Sequence, residues 1–305
     1  MPKHLLKLRD LSSAEIKDIL RKAVEIKSDP GLFHEAAYRR GLLMIFEKTS
    51  TRTTLSYQSA IARMGGYSVV LDWEKSNFAI SPIEHETQYA SRNCDLIVAR
   101  LRSHATLRRL AEASQVPVIN GCDDRFHPSQ ALADFMTILE VEGGFDGLTV
   151  CYIGVYNNIA NSLVEGSLAL GVRLLLVTPL VNEASRDQIL NDLALSSGLV
   201  EFRDDLAVAV GEADFVYTDT WIDMENFNDP AYAEERESRI EMMSRYQLNE
   251  ALLEDADAWI MHDMPVHPGF EITTEVVEGA RSIIYRQAEN RMHVQQALLL
   301  HLLGV

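Results

Sequence analysis

The chain has 305 residues, 47% of them hydrophobic and 24% charged, with a net charge of -17 and a pI near 4.9. That length predicts two domains of about 150 residues each, and the composition excludes a disordered chain. The acidity excludes the broad basic face that nucleic acid or an anionic membrane would need, though not a local basic pocket for a phosphate.

Cys94, Cys122 and Cys151 are sparse and widely spaced. They form no disulfide framework and no C-x-x-C metal signature, so a reducing, cytoplasmic setting is expected. Met1-Pro2-Lys3-His4 leads into a charged amphipathic segment rather than a signal peptide. No apolar run approaches the roughly 18 residues that a membrane span requires.

Ser12 followed by Glu15 reads as a capping box, and the apolar spacing of Ile16, Ile19, Leu20, Ala23 and Ile26 predicts a helix to about Lys27. Leu42 to Phe46 reads as a strand that ends in the polar turn 47–52, with a helix following from Thr53 to Met64. Next come a strand over 96–99, a helix over 105–113, a strand over 116–119 and a helix over 129–141.

Gly143, Gly144 and Gly147 break the pattern and mark the candidate domain boundary. The alternation restarts with a strand at 148–153, a helix at 157–170, a strand at 173–177 and a helix at 185–195. Strands at 215–218 and 258–261 follow, and a long helix covers 289–303. The stretch from Trp221 to Arg239 is polar and poorly periodic, and reads as a loop. Short apolar runs alternating with longer 3.6-period segments predict an α/β fold of mainly parallel sheets flanked by helices. Sites in such sheets sit at the carboxyl ends of the strands.

Ser50-Thr51-Arg52-Thr53 follows an apolar strand and opens a helix. Unpaired N–H groups at a helix start suit an anion, hydroxyls add donors, and the Arg52 fork can hold two phosphate oxygens. An ordinary helix cap beside a surface arginine would also explain these residues. Nucleotide signatures are absent: there is no G-x-x-x-x-G-K-[ST], and Gly154-Val155-Tyr156-Asn157-Asn158 is not G-x-G-x-x-G.

The segment from Phe46 to Thr53 resembles the carbamoyl-phosphate turn of ornithine carbamoyltransferases. Further matches follow in that family's order: Val98-Ala99-Arg100, His127-Pro128-Ser129-Gln130, Asn157-Asn158, Asp219-Thr220-Trp221, His262 with Pro265, and Glu289-Asn290-Arg291. The resemblance spans about His4 to Leu303 and places the chain in the aspartate/ornithine carbamoyltransferase superfamily, nearer its ornithine branch. It implies a carbamoyl-phosphate-binding domain, residues 1–142 plus a last helix crossing back at 288–305, and an amine-binding domain at 147–287. It also implies a homotrimer with active sites at subunit junctions, small-molecule substrates, no cofactor or metal, and a setting in amino-acid metabolism such as arginine biosynthesis.

Carbamoyl transfer needs a polarised carbonyl, a stabilised oxyanion, a phosphate leaving group and an uncharged amine. By resemblance, Ser50, Thr51, Arg52 and Thr53 hold the phosphate, while Arg100, His127, Gln130 and Arg291 surround the carbamoyl group. Arg100 ends a predicted strand, and His127 and Gln130 are three apart at a helix start. Alone, each could be a strand-end, turn or surface residue. In the second half the resemblance makes Asn158, Asp219, Met224 and Met264 ligands of the amine substrate. Asn158 could equally cap its helix, and Asp219 could be a turn residue.

Several positions depart from the family pattern. The family's His-Cys-Leu-Pro reads His262-Asp263-Met264-Pro265, and its serine before Met224 is Asp223. The histidine that reaches a neighbouring subunit aligns poorly, Asn77 standing nearest its place, and the arginine after Ser-Thr-Arg-Thr is Thr54. Asp219, Asp223 and Asp263 could therefore converge on a site for an amine with more, or differently placed, positive charge than ornithine, Asp263 taking its proton. Two other classes are compatible with these residues: a paralogue that binds carbamoyl phosphate without catalysis, and a metal-dependent hydrolase built on His262, Asp263 and His267. The second lacks H-E-x-x-H and is interrupted by Pro265 and Pro268.

Overall fold

The structure, a computed structural model, describes residues 2–222 and 227–305. The chain divides into two compact units, one of residues 1–141 and 289–305, the other of residues 142–288.

In the first unit, α1 (Ser13–Ser28) starts at the Ser12–Glu15 capping box and buries Ile16, Ile19, Leu20, Ala23 and Ile26. β1 (Gly41–Phe46) leads into α2 (Thr51–Arg63), and β2 (Tyr67–Asp72) and α3 (Ile83–Ala90) follow. Then come β3 (Leu96–Arg100), α4 (His104–Ala113), β4 (Val118–Asn120) and α5 (Pro128–Glu142). The described strands form a parallel sheet in the order β2-β1-β3-β4. All five residues of β3 are buried, as expected of a parallel strand covered on both faces. Leu43, Ile45, Ile97, Ala99, Leu107 and Leu110 form the core on one side. Emptying one such position, as in Leu107→Ala, would cost about 2–5 kcal/mol.

The second unit opens with β5 (Thr149–Tyr156) and α6 (Asn158–Leu170), followed by β6 (Arg173–Val181), α7 (Gln188–Ser197), β7 (Val200–Phe202) and α8 (Leu206–Gly211). β8 (Phe215–Thr218), α9 (Ala233–Met243), β9 (Trp259–His262) and α10 (Thr274–Val277) continue it. Its described strands are parallel, in the order β7-β6-β5-β8-β9. Gly171, at φ +81°, ends α6 in the left-handed conformation that a glycine adopts without strain.

The last helix, α11 (Ile284–Leu303), belongs to the first unit from Glu289 onward. There Lys27 of α1 donates to Asn290 Oδ1 at 2.7 Å. Asn290 Nδ2 in turn reaches Thr137 Oγ1 at 2.9 Å and Glu140 Oε2 at 2.7 Å on α5.

The structure adds elements that periodicity misses. β2 and α3 fill the interval after 64, and β7 and α8 fill the interval after 197. The expected loop from 221 to 239 contains the start of α9. That helix is polar almost all round, with only Met243 buried, so it carries no apolar stripe to read.

Candidate active site

In the first unit, side chains from four parts of the chain meet at the carboxyl end of the sheet. β1 delivers the turn 47–50, and α2 begins directly after it. Ser50 occupies the N-cap position yet makes no side-chain cap hydrogen bond, which removes the ordinary-cap explanation for this serine. The first N–H groups of a helix such as α2 have no intrahelical partners, the chemistry that an anion site uses. Thr51 is exposed, Arg52 and Ser50 are half-buried, and Thr53 is buried.

Arg291 on α11 ties these parts together. Its Nη2 donates to Thr53 Oγ1 at 2.9 Å, and its Nη1 donates to Gln130 Oε1 at 2.6 Å. Gln130 Nε2 then donates to Asp134 Oδ1 at 2.8 Å, which fixes which way the amide faces. Arg100 is the last residue of β3 and is 8% exposed. One Nη reaches Gly121 O at 3.4 Å, and its buried Nε has no partner among the described residues.

His127 stands immediately before α5 and its carbonyl accepts from Gln130 and Ala131. Burial, then the charges of Arg291, Arg100 and Arg52, hold the pKa of its imidazole well below 6.5. It is neutral at pH 7 and suited to hydrogen bonding rather than to charge. The chain reaches His127 through a tight loop in which Asp123 Oδ1 accepts from the N–H groups of Arg125 and Phe126 at 2.8 and 2.7 Å. Cys122, in that loop, has φ +127°, and its thiol is pushed up by burial despite the nearby Arg100, Lys48 and Arg291.

In the second unit, register brings two aspartates together. Thr218 of β8 pairs with His262 of β9, so Asp219 and Asp263 are the next residues on neighbouring parallel strands. Asp219 is buried and accepts from Asn157 Nδ2 at 2.7 Å and from the N–H of Thr220 at 2.6 Å. Tyr152, on the adjoining β5, has its pKa pushed well up by burial and then by the charges of Asp219 and Asp263. Gly154, at φ +153°, accompanies a register shift in β5 just before Asn157. Asn157 caps α6 through the N–H groups of Ile159 and Ala160, so the cap falls one residue earlier than the Asn158 expected from sequence.

Beside Asp263 lies a trio of buried His262 and Glu271 with half-buried His267. His262 Nδ1 accepts the N–H of Met264 at 2.8 Å, which leaves Nε2 to carry the proton and donate to Glu271 Oε1 at 3.1 Å. Burial pushes the Glu271 pKa up, but hydrogen bonds from His262 and His267 overcome this and hold it down to about 2. Asp263 Oδ1 lies 3.5 Å from His262 Nδ1. Met264 has φ +63°, and its side chain packs against the second unit's core. Asp223 and Met224 lie outside the described residues.

Of the residues expected in the first unit, Thr53 and Gln130 are bridged by Arg291, and His127 lies within reach of the charges of Arg291, Arg100 and Arg52. In the second, Asp219 and Asp263 are neighbours. Sequence reasoning missed Tyr152 and Glu271, which no motif marks. Among the described residues no group of three or more His, Cys, Asp or Glu side chains could hold a metal ion. No described helix is long and apolar enough to cross a membrane.

The protein is thus built of two parallel α/β units, the first carrying a buried arginine–histidine–glutamine cluster at its sheet's carboxyl end. Residues 3–140 match the family model described as aspartate/ornithine carbamoyltransferase, carbamoyl-P binding domain, and residues 146–302 match its Asp/Orn binding domain. The chain is 36% identical over 307 residues to an ornithine carbamoyltransferase of Archaeoglobus fulgidus, covering 99% of this chain and 98% of that protein. To that of Methylococcus capsulatus it is 38% identical over 307 residues, covering 99% of each. Among solved structures, the ornithine carbamoyltransferase from Pyrococcus furiosus superposes with a TM-score of 0.88 at 36% identity, over 98% of this chain and 96% of that one. The chain belongs to the aspartate/ornithine carbamoyltransferase family, and it is a carbamoyltransferase enzyme.

Proposed function

We propose that the enzyme transfers the carbamoyl group of carbamoyl phosphate to a primary amine of ornithine, or of a related diamino acid or diamine, and releases phosphate. The observation that carries this reading is the Arg291 bridge between Thr53 and Gln130, with Arg100 and neutral His127 alongside. Ser50, Thr51, Arg52 and Thr53 hold the phosphate. Arg100, His127 and Gln130 donate to the carbonyl oxygen as it becomes an oxyanion, and Arg291 stabilises both groups. A neutral imidazole keeps one N–H to donate for this without adding another charge to the cluster.

The acceptor nitrogen attacks the carbonyl carbon, the C–O bond to phosphate breaks, and the nitrogen loses a proton. In the second unit Asn158, Asp219, Asp223, Met224, Asp263 and Met264 bind the acceptor, and Asp263 takes that proton. Ornithine as acceptor is supported by the relatives' names. The wider class of diamines is supported by Asp263, a second carboxylate beside Asp219.

The working form is a cytoplasmic homotrimer. Exposed Tyr67, Val69 and Tyr89 rim a groove of about 410 Å³ in the first unit, an apolar surface of the sort that a second subunit covers. Asn77, which stands nearest the place of the family's neighbour-reaching histidine, lines that groove. Steady-state phosphate release with carbamoyl phosphate and ornithine tests the reading. Saturable release that requires the amine supports it, and amine-independent hydrolysis refutes it.

A further inference from the structure

His267 lies five residues beyond the end of β9, and the chain on both sides of residues 223–226 is fastened to it. Thr220 Oγ1 is 3.3 Å from its Nδ1. Phe227 stacks on its ring, with centroids 4.3 Å apart and planes inclined by 19°. Arg236 of α9 holds the Phe227 carbonyl at 2.6 Å. On the other side the backbone N–H of His267 donates to Glu271 Oε1 at 2.6 Å, the same oxygen that receives His262 Nε2–H. The segment leaving β8 and the segment leaving β9 are therefore joined through one side chain.

Those two segments carry the acceptor-side residues. Asp219 lies on the first, Asp263 and Met264 on the second. Carboxylates of like charge repel; the β8–β9 pairing holds Asp219 and Asp263 side by side at the strand ends, and beyond those ends the segments separate unless something else holds them. The stack and hydrogen bonds at His267 supply that hold, while Glu271 anchors His267 to the buried end of β9.

We infer that His267 is a positioning residue that sets the spacing of the carboxylates receiving the acceptor amine. This rests on the reading that the second unit binds the acceptor. His267 acts through its neighbours, so its loss should weaken acceptor binding and leave carbamoyl phosphate binding unchanged. A general loss of folding would instead alter both.

The test compares His267→Phe, which keeps a ring for Phe227, and His267→Asn, which keeps a polar atom near Thr220, with His267→Ala. The full-length protein is assayed with carbamoyl phosphate and with ornithine or whichever amine proves to be accepted. His267→Ala should raise the acceptor KM about tenfold with the carbamoyl phosphate KM within about twofold, and Phe and Asn should each recover part of the loss. Phe227→Leu, placed on the opposite partner of the stack, should raise the acceptor KM in the same direction, and it serves if His267 variants fail to fold. Equal increases in both KM values, or an unchanged acceptor KM in Phe227→Leu and every folded His267 variant, would overturn the inference. If the unmodified enzyme turns over no amine, the acceptor reading itself fails and this inference falls with it. Turnover by the unmodified enzyme with unaltered variants sinks the inference alone.

Discussion

The two units handle charge in opposite ways. The first gathers cations, Arg52, Arg100 and Arg291, around a histidine that burial and those same charges keep neutral. The second gathers carboxylates, Asp219 and Asp263, at adjoining strand ends beside Tyr152. Phosphate is the same in every reaction of this family, so its cradle has little freedom to vary. The acceptor side does vary, and a thiol position there is taken by Asp263. On the proposed reading, the chemistry to be catalysed lies with the cationic unit and the choice of partner with the acidic one.

The strongest way to break that division is Arg100→Ala. Removing a donor to a developing oxyanion should lower kcat/KM by about a thousandfold for every amine alike, as steady-state kinetics on folded protein would read. A loss confined to one amine would contradict the assignment of Arg100 to the common step.

Glu271 gives the next largest effect. Its folded pKa of about 2 lies below the ordinary 4.5, so its contribution to stability is present above pH 4.5 and is lost as pH falls toward 2. The contribution is on the order of 3 kcal/mol. Denaturant titrations of wild type and Glu271→Gln across that window should show the variant with a flatter acid dependence. Parallel curves would mean that the trio beside Asp263 is not held together by the Glu271 charge.

Asp263→Cys sharpens the comparison on the acidic side. It should shift the ratio of kcat/KM values toward ornithine by about tenfold, worth about 1.4 kcal/mol, while binding of carbamoyl phosphate stays the same. An unchanged ranking of amines removes Asp263 from specificity. The smallest expected effect is a null one. Because His127 titrates well below 6.5, it stays neutral as pH is lowered through 6.5, and kcat/KM for carbamoyl phosphate should show no limb there belonging to it. A limb near 6.5 that disappears in His127→Asn would show the histidine acting as a charged group. In the unfolded chain this histidine does protonate below 6.5, so its burial should cost stability, not activity, on the acid side.

The proposed phosphate cradle is legible in the sequence because its parts lie in contiguous motifs with strong local geometry. A buried strand running into Ser50–Thr53, and a histidine one residue before a helix, announce themselves by position. The strands at 42–46, 96–99 and 215–218 could be read because they are continuous apolar runs, as covered parallel strands are. β2 escaped because no residue in it is fully buried, and α9 because its polarity hides the helical period.

The acceptor side was half legible. Asp219 and Asp263 could be named, but they lie far apart in the chain. Their adjacency depends on the β8–β9 register, which no local pattern encodes. Tyr152 reads as an ordinary apolar strand residue until its two carboxylate neighbours are seen. Glu271 and His267 are four residues apart in a stretch with Pro265, Pro268 and Gly269, where neither helical nor strand periodicity predicts that they meet.

The central claim is tested most directly by incubating the purified enzyme with carbamoyl phosphate and a panel of amines, and detecting ureido products by mass spectrometry. The panel would contain ornithine, lysine, 2,4-diaminobutyrate, 2,3-diaminopropionate, putrescine and aspartate. The account predicts a product from ornithine or another diamine, formed with one phosphate released per product, and none from aspartate. A product from aspartate alone, or none from any amine while carbamoyl phosphate still binds, would contradict it.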